Sequence, residues 1–267
     1  MANAPSNHVL VSVAPHKFFV ERIAKDTVTV LLMVPAGASA HTFEPTFKQM
    51  LQAAKANLWF SVGEGFEERA IKSLKSHNSG LEIVDLRSGV DMIVADPETG
   101  ACPCCLKSGQ DLHIWLSARQ AKTQSKTIAN ALSVKYPENK TLYQENLALF
   151  IKELDDLDVK IGSLLKNLKK RTILVSHPAY AYFCRDYHLK QLSIEFEGKD
   201  PTPYQLTKIL QLAKSASISR IYIQPQYSSK GAHLFAKELT ADIITLDPYA
   251  ENFIESMLKI AQEFSKN

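Results

Sequence analysis

Residues 137–168 constrain the fold most, because their sequence predicts one helix far longer than a typical globular helix. Apolar side chains recur there in alternating steps of four and three, and after Pro137 no proline or glycine interrupts them before Gly162. These apolar residues are Tyr143, Leu147, Phe150, Leu154, Leu157, Ile161, Leu164 and Leu168. At about 1.5 Å per residue the helix spans roughly 48 Å, so we expect it to cross more than one structural unit. The alternative is a coiled-coil dimer seam, which would rest on only about four heptads.

The segments on either side of this helix predict alternating strands and helices. Continuous apolar runs such as residues 9–13 and 28–34 are typical of strands covered on both faces. The predicted strands are residues 9–13, 28–34, 58–62 and 83–86 before the long helix, and 172–175, 192–196, 220–223 and 243–246 after it. This alternation is typical of mainly parallel sheets.

The two halves also resemble each other in sequence. The helix-opening stretches EPTFKQM at 44–50 and DPTPYQL at 200–206 fall at the same place in the two strand series, which indicates an internal duplication. We therefore predict an α/β fold of two similar lobes, each a four-stranded, mainly parallel sheet with helices. Residues 1–136 are predicted to form the N-terminal lobe and residues 169–267 the C-terminal lobe, with residues 137–168 as one long rigid helix that joins them.

Composition excludes several classes of protein. The chain carries 31 Lys and Arg against 28 Asp and Glu, a net charge of +3, and has no run of five like charges, so we expect no nucleic-acid partner. No apolar run reaches the roughly eighteen residues of a membrane span. The first ten residues, MANAPSNHVL, lack the charged and apolar regions of a signal peptide. The protein is therefore either cytoplasmic or has had its signal removed.

Four side chains follow predicted strands and could hold a metal ion. His41 follows the second strand, His113 the fourth, His177 the fifth and Asp247 the eighth. In open parallel sheets ligands bind beyond the carboxyl ends of the strands, so all four could point into one cleft between the lobes. Imidazole and carboxylate are typical ligands of divalent transition metals, and four of them complete a tetrahedron.

Each of these residues also has an ordinary structural interpretation. Asp247 could belong to a turn, His177 to a strand end and His41 to a solvated loop. His113 lies among apolar residues in LHIW, so it is expected to be buried and to need a polar partner. The remaining histidines are expected at the surface, with His16 as a secondary candidate because it mirrors the position of His177. They are His8, His16, His77, His188 and His233.

Five motifs together resemble the metal-binding solute receptors of ABC transporters, of the zinc and manganese type. They are HTFEP at 41–45, DLHIWL at 111–116, SHPAYAYFCRDYHL at 176–189, PQYSSK at 225–230 and LDP at 246–248. The resemblance implies a metal bound in the cleft by His41, His113, His177 and Asp247. It further implies delivery of that metal to an ABC-transporter membrane permease. We expect a monomer in the periplasm, with its signal peptide already removed.

The chain departs from this family pattern in three places. Ala118 stands where a proline is common, and Gln224 where a glutamate is common. The loop before His113 holds cysteines in place of the histidines found in many zinc receptors; they are Cys102, Cys104 and Cys105. These could form a disulfide in an oxidising compartment or an accessory thiolate site that captures metal. Cys184, on an apolar helix, is predicted to be a core residue.

The predicted ligands also bear on the choice of metal and on enzymatic activity. Three imidazoles and one carboxylate favour Zn²⁺ over Mn²⁺ or Fe²⁺, although a manganese or iron receptor remains the alternative. Four protein ligands leave no position for a catalytic water, and the sequence holds no HExxH, GxSxG or Walker motif, so we predict no enzyme. A zinc-dependent hydrolase, with Asp247 as base, or a metal-binding adhesin are the alternatives of other classes.

Overall fold

The computed structural model describes residues 7–94, 109–195 and 203–267. The chain forms two units, each made of several segments. Unit 1 comprises Met1–Asp91, Arg119–Asp156 and Tyr249–Phe253; unit 2 comprises Met92–Ala118, Leu157–Pro248 and Ile254–Asn267. His113, which the sequence placed within the N-terminal lobe, therefore belongs to unit 2.

Unit 1 contains a parallel sheet of four strands in the order β2-β1-β3-β4. The strands are β1 (His8–Val11), β2 (Thr29–Leu32), β3 (Leu58–Ser61) and β4 (Glu82–Asp85). Helices connect them as α1 (Ala14–Ala24), α2 (Phe47–Ala53) and α3 (Glu67–His77). All four residues of β3 are buried, as expected for a central strand covered on both faces. Thr46 caps α2 by accepting from the main chain of Gln49, whose side chain reaches back to the main chain of Thr46.

Two helices follow the first sheet. Helix α4 (Ala118–Lys135) leads through a 3₁₀ turn at Pro137–Asn139 into α5 (Lys140–Leu165), a helix of 26 residues. The long helix predicted from the sequence is thus present, three residues shorter at each end. The boundary between the two units falls inside it, after Asp156.

The buried side of α5 is apolar, and near the C-terminal end of the helix the buried positions depart from the predicted heptad pattern. Its fully or almost fully buried side chains are Tyr143, Phe150, Leu154, Leu157, Ile161 and Leu165. Leu164 was predicted on this face but is 42% exposed. Towards the end of α5 the buried residues are four positions apart, from Leu157 to Ile161 to Leu165. A straight α-helix has about 3.6 residues per turn, so its buried face drifts away from a strict heptad.

Helix α5 makes specific contacts within each unit. In unit 1, the Phe150 ring lies 5.6 Å from that of Phe19, and the Asn146 side chain donates to the carbonyl of Ile23 at 2.9 Å. In unit 2, Asp158 accepts from the hydroxyl of Tyr187 at 2.7 Å. The apolar face is therefore core, which removes the basis of the coiled-coil alternative.

Unit 2 repeats the strand order of unit 1, as β6-β5-β7-β8, again all parallel. Its strands are β5 (Thr172–Val175), β6 (Lys190–Ser193), β7 (Arg220–Ile223) and β8 (Asp242–Thr245). Its helices are α6 (Ala181–Asp186), α7 (Pro203–Ser215), α8 (Lys230–Leu239) and α9 (Phe253–Phe264). The core against β5 and β7 includes Leu174, Ile221 and Phe235.

These two sheets confirm the predicted α/β fold of two four-stranded parallel units. Each predicted strand is found, with bounds shifted by at most three residues. The largest shift is in β6, predicted at 192–196, because the register of its ladder pairs Lys190 with Thr172 at the start of β5. Among the described helices, none combines the length and the apolar character that crossing a membrane requires.

The buried face of α5 predicts a contrast between two leucines of the same helix. Leu154 is fully buried, whereas Leu149 is 63% exposed. Leu154→Ala should lower the free energy of unfolding by about 2–5 kcal/mol, because a cavity is left behind. Leu149→Ala should change it by no more than about 0.5 kcal/mol. Urea unfolding followed by circular dichroism measures both, and equal effects would contradict the assigned face.

Candidate metal centre

His41 lies in a short 3₁₀ turn, Ala40–Thr42, that follows β2 in unit 1. Its Nδ1 atom lies 3.0 Å from Oε2 of Glu64, and the two side chains are 7% and 0% exposed. Since a carboxylate only accepts, the imidazole donates through Nδ1. The neutral ring then presents Nε2, with its lone pair, as a ligand atom.

Glu64 is held in place by a second buried glutamate. The loop after β3 carries Glu64, and the carboxylate of Glu67 accepts from the main-chain nitrogens of Val62 at 3.0 Å and Gly63 at 2.7 Å. The hydroxyl of Ser12 also donates to Glu67. Gly63 has φ of +89°, a backbone conformation that residues with a Cβ rarely adopt, so glycine is strongly favoured there. The hydrogen bonds to Glu67 and the turn at Gly63 together fix the loop that presents Glu64 to His41.

His113 is fully buried and is oriented by its neighbour two residues earlier. Oδ1 of Asp111 accepts from both the main-chain nitrogen and Nδ1 of His113, each at 2.8 Å. The partner that the sequence analysis required for this histidine is therefore Asp111. Trp115 packs beside the imidazole with ring centroids 5.6 Å apart, and its Nε1 donates to the carbonyl of Pro248 at 2.8 Å. This segment of unit 2 is anchored next to Asp247.

His177 follows β5 and is held on three sides within unit 2. Its Nδ1 lies 2.8 Å from Oε2 of Glu195, and its ring stacks on Tyr227 with centroids 3.9 Å apart at 11°. Gln224 accepts from the main-chain nitrogen of His177 at 3.1 Å and donates to its carbonyl at 2.8 Å. The imidazole has little rotational freedom, and it is 2% exposed.

His113 and His177 lie close together in unit 2. Their ring centroids are 5.4 Å apart in an edge-to-face arrangement, and a ring nitrogen of one lies within 4.8 Å of a ring nitrogen of the other. Both rings direct Nδ1 to a carboxylate, so Nε2 is the atom of each ring that could bind a metal. A carboxylate that holds Nδ1–H is the usual arrangement behind a metal-binding imidazole.

Asp247 lies two residues beyond β8 in unit 2. Its Oδ1 accepts from Nε2 of Gln226 at 2.6 Å, and its main-chain carbonyl accepts from the hydroxyl of Ser256 at 3.3 Å. Both the side chain and the main chain of Asp247 are therefore held by hydrogen bonds. The carboxylate is oriented by its surroundings in the same way as the three imidazoles.

The structure adds residues that the sequence analysis did not name. Glu64, Asp111 and Glu195 each pair with a candidate histidine, and Tyr227 stacks on one of them. Only the Asp111 pair has a local signal, because it is two residues from His113 in DLHIW. Glu64 and Glu195 lie 23 and 18 residues from their partners, so their pairing depends on the fold.

The structure also bears on two further predictions, those for His16 and for Cys184. His16 was expected at the surface, but it is fully buried, with Nε2 2.7 Å from Oε1 of Gln124, and burial lowers its pKa to about 4. It lies in α1, whose inner face packs on the core of unit 1.

Cys184 is buried at 4% exposure, which confirms its core role, and burial raises the pKa of its thiol. The cysteine cluster lies outside the described residues; it comprises Cys102, Cys104 and Cys105.

Comparison with known families identifies this arrangement. The family described as ZnuA, zinc-uptake complex component A, periplasmic, matches residues 9–267. The chain belongs to the ZnuA family. This confirms the resemblance seen in the sequence motifs: the chain is a metal-binding solute receptor of the ABC-transporter type. Such a family consists of receptors rather than enzymes.

Several ZnuA relatives cover almost the whole chain. A putative metal-binding protein of Chlamydia trachomatis is 33% identical over 96% of this chain and 90% of its own length. The high-affinity zinc uptake system protein ZnuA of Bacillus subtilis is 28% identical over 96% of this chain and 81% of its own length. A crystal structure of ZnuA superposes with a TM-score of 0.90 at 32% identity, covering 97% of this chain and 98% of that one.

The pairing of His177 with Glu195 predicts a particular tautomer. In the metal-free protein His177 should carry its proton on Nδ1, and Glu195→Gln should yield a mixture of the two tautomers because an amide can also donate to the ring. Two-bond ¹⁵N–¹H correlation spectra of the imidazoles report this directly. His113 in the same sample is the internal control, since Asp111 is unchanged. A pure Nε2–H tautomer in the wild-type protein would contradict the assignment.

Burial of Glu67 predicts a pH-dependent stability. Desolvation raises the pKa of Glu67 from its ordinary value of 4.5 to about 7, against the hydrogen bonds from Ser12 and the loop main chain. The folded state therefore binds this proton more tightly than the unfolded state. The resulting stabilisation is complete below about pH 4.5 and is lost as pH rises through about 7.

Replacing this carboxyl group tests that linkage. Relative to Glu67→Gln, the wild-type protein should lose on the order of 3 kcal/mol of unfolding free energy between pH 4 and pH 8. Glu68→Gln is the matched control, because Glu68 is the exposed neighbour on the same helix. Denaturant unfolding at a series of pH values measures the difference. Parallel pH profiles for the wild type and Glu67→Gln would show that Glu67 has the same pKa in the folded and unfolded states, which would contradict the raised value.

Proposed function

We propose that this protein captures one Zn²⁺ ion outside the cytoplasm and delivers it to an ABC-transporter membrane permease for import. Membership of the periplasmic zinc-uptake family supports the role, and the Bacillus subtilis relative is described as a high-affinity zinc uptake protein. The observation that carries the proposal is the repeated geometry of the three histidines, each with Nδ1 on a carboxylate and Nε2 as its ligand atom.

The proposed ligands are Nε2 of His41, His113 and His177 together with a carboxylate oxygen of Asp247. Within unit 2 the nearness of the two imidazoles supports a shared ion, and the two-residue position of Asp247 after β8 places it at the carboxyl edge of the same sheet as His177. His41 is assigned by its motif and by its pairing with Glu64. Four such ligands suit the tetrahedral geometry of zinc.

The negative charge of the side chains around the proposed site also supports binding of a divalent cation. One ligating carboxylate leaves a bound Zn²⁺ with a formal charge of +1. Three further carboxylates lie behind the imidazoles and add negative charge around the site; they are Glu64, Asp111 and Glu195. A carboxylate behind an imidazole makes its Nε2 a stronger donor to the metal. The buried glutamate of the His41 pair, at 0% exposure, is thereby compensated when the ion binds.

The choice of Zn²⁺ over the alternatives follows from the donor atoms. Three nitrogen ligands and one oxygen ligand suit zinc, whereas Mn²⁺ prefers oxygen-rich, octahedral sites and Fe²⁺ binds such sites more weakly. Four protein ligands leave no position for the water that a zinc hydrolase activates. As to the adhesin alternative, the laminin binding protein of Streptococcus agalactiae, described as bifunctional with adhesin and metal transporting activity, is 22% identical with a TM-score of 0.82, a likeness that shows a shared fold. The monomeric state and the lobe boundaries stay predictions.

Metal content tests the proposed function directly. Protein purified without added metal should carry one Zn²⁺ per chain in native mass spectrometry, with the element identified by plasma mass spectrometry. His113→Ala should lose the ion or bind it at least about tenfold more weakly, because a ligand and its Asp111-oriented geometry are removed.

The matched control is a histidine outside the site. His233→Ala should retain one ion, since His233 lies on the exposed side of α8, where Nδ1 contacts the carbonyl of Ser229. A wild-type protein that binds no divalent metal after loading would overturn the proposal. Stoichiometric Mn²⁺ with no retained Zn²⁺ would support the manganese alternative.

A further inference from the structure

Gln226 belongs to the PQYSSK motif at 225–230, but the motif by itself assigns no role to its side chain. It lies three residues beyond β7, and Asp247 lies two residues beyond β8, the strand that pairs with β7 in parallel. Nε2 of Gln226 donates to Oδ1 of Asp247 at 2.6 Å. The two strand ends thus present an amide and a carboxylate to each other.

This hydrogen bond accounts for the position of the Gln226 side chain. Its other polar atom, Oε1, is buried, and no described residue donates to it. A side chain that buries an acceptor without a donor gains little folding stability from its one hydrogen bond. The amide is therefore better explained by its effect on Asp247 than by a contribution to stability.

Resting on the proposed zinc site, we propose that Gln226 is a positioning residue that makes Asp247 a one-oxygen ligand and thereby favours Zn²⁺ over Mn²⁺. With Oδ1 engaged by Gln226, Oδ2 is the oxygen that meets the metal. Binding through Oδ2 alone keeps the donor count at four, the number that zinc prefers. Mn²⁺ prefers six ligands rich in oxygen, so it gains most from a carboxylate that binds through both oxygens.

Two other side chains of the segment 224–227 hold His177 in place. Gln224 is 1% exposed and bonds both the nitrogen and the carbonyl of the His177 main chain, which requires an acceptor and a donor on one side chain. A glutamate at 224 would supply only acceptors when ionised. Tyr227 stacks on the imidazole of the same residue. One segment therefore fixes His177 through Gln224 and Tyr227, and Asp247 through Gln226.

Substitution of Gln226 by apolar residues of similar size tests the proposal. Gln226→Leu and Gln226→Met remove the amide, so Oδ1 of Asp247 can turn to the metal. Ser256→Ala is the matched control, because it removes a hydrogen bond to the main-chain carbonyl of Asp247 and leaves the carboxylate untouched.

Two readouts separate a change in coordination from a general loss of stability. Visible absorption of the Co²⁺-loaded protein reports coordination number, since four-coordinate Co²⁺ absorbs several-fold more strongly than five- or six-coordinate Co²⁺. Chelator competition gives the ratio of Zn²⁺ to Mn²⁺ affinity. In both Gln226 variants we expect the absorption to fall at least about twofold and the affinity ratio to fall about tenfold, the usual size of effects from residues behind the ligands. Ser256→Ala should match the wild type in both.

Each outcome decides the proposal. Unchanged spectra and affinity ratios in folded Gln226 variants would overturn it while leaving the zinc-receptor function intact. If Gln226→Leu fails to fold, Gln226→Met carries the same test, and failure of both to fold would make Gln226 a structural residue and overturn the proposal. A wild-type protein that binds neither Zn²⁺ nor Co²⁺ would overturn the proposed function, and this inference with it.

Discussion

The interaction on which the site depends is the hydrogen bond from an imidazole Nδ1 to a carboxylate, made three times. A histidine side chain alone has two possible ligand atoms and a freely turning ring. Pairing with Glu64, Asp111 or Glu195 fixes the tautomer, the ring plane and the ligand atom together. The surrounding structure then has to hold these carboxylates, and the buried Glu67 does this for Glu64 by binding the loop that carries it.

Sequence patterns predicted the fold well because its signals are local. Short, largely apolar stretches marked the eight strands, and the spacing of apolar residues marked α5. The errors arose where the fold overrides the pattern. Leu164 fits a heptad but lies outside the face, because helical steps of four carry Leu165 inward instead. His16 was expected at the surface, yet its position on the inner face of α1 buries it.

The candidate ligands could be chosen from the sequence because they follow strand ends, whereas the residues that orient them could not. Asp111 lies within two residues of its histidine, but Glu195 meets His177 only because β5 and β6 pair in register. Gln226 and Asp247 meet for the same reason across β7 and β8. Such contacts are set by strand pairing over long sequence separations, which one sequence does not reveal.

These separations have a thermodynamic consequence for a protein that carries an ion. Of the three imidazole–carboxylate pairs, that of Asp111 and His113 forms most readily in an unfolded chain, since the others must close loops of 23 and 18 residues at a cost in entropy. The unfolded chain therefore offers a metal far weaker ligands than the folded chain does. A bound ion stabilises the folded state by mass action in proportion to that difference. Cargo and folding are thus coupled: the loaded receptor resists unfolding and proteolysis more than the empty one.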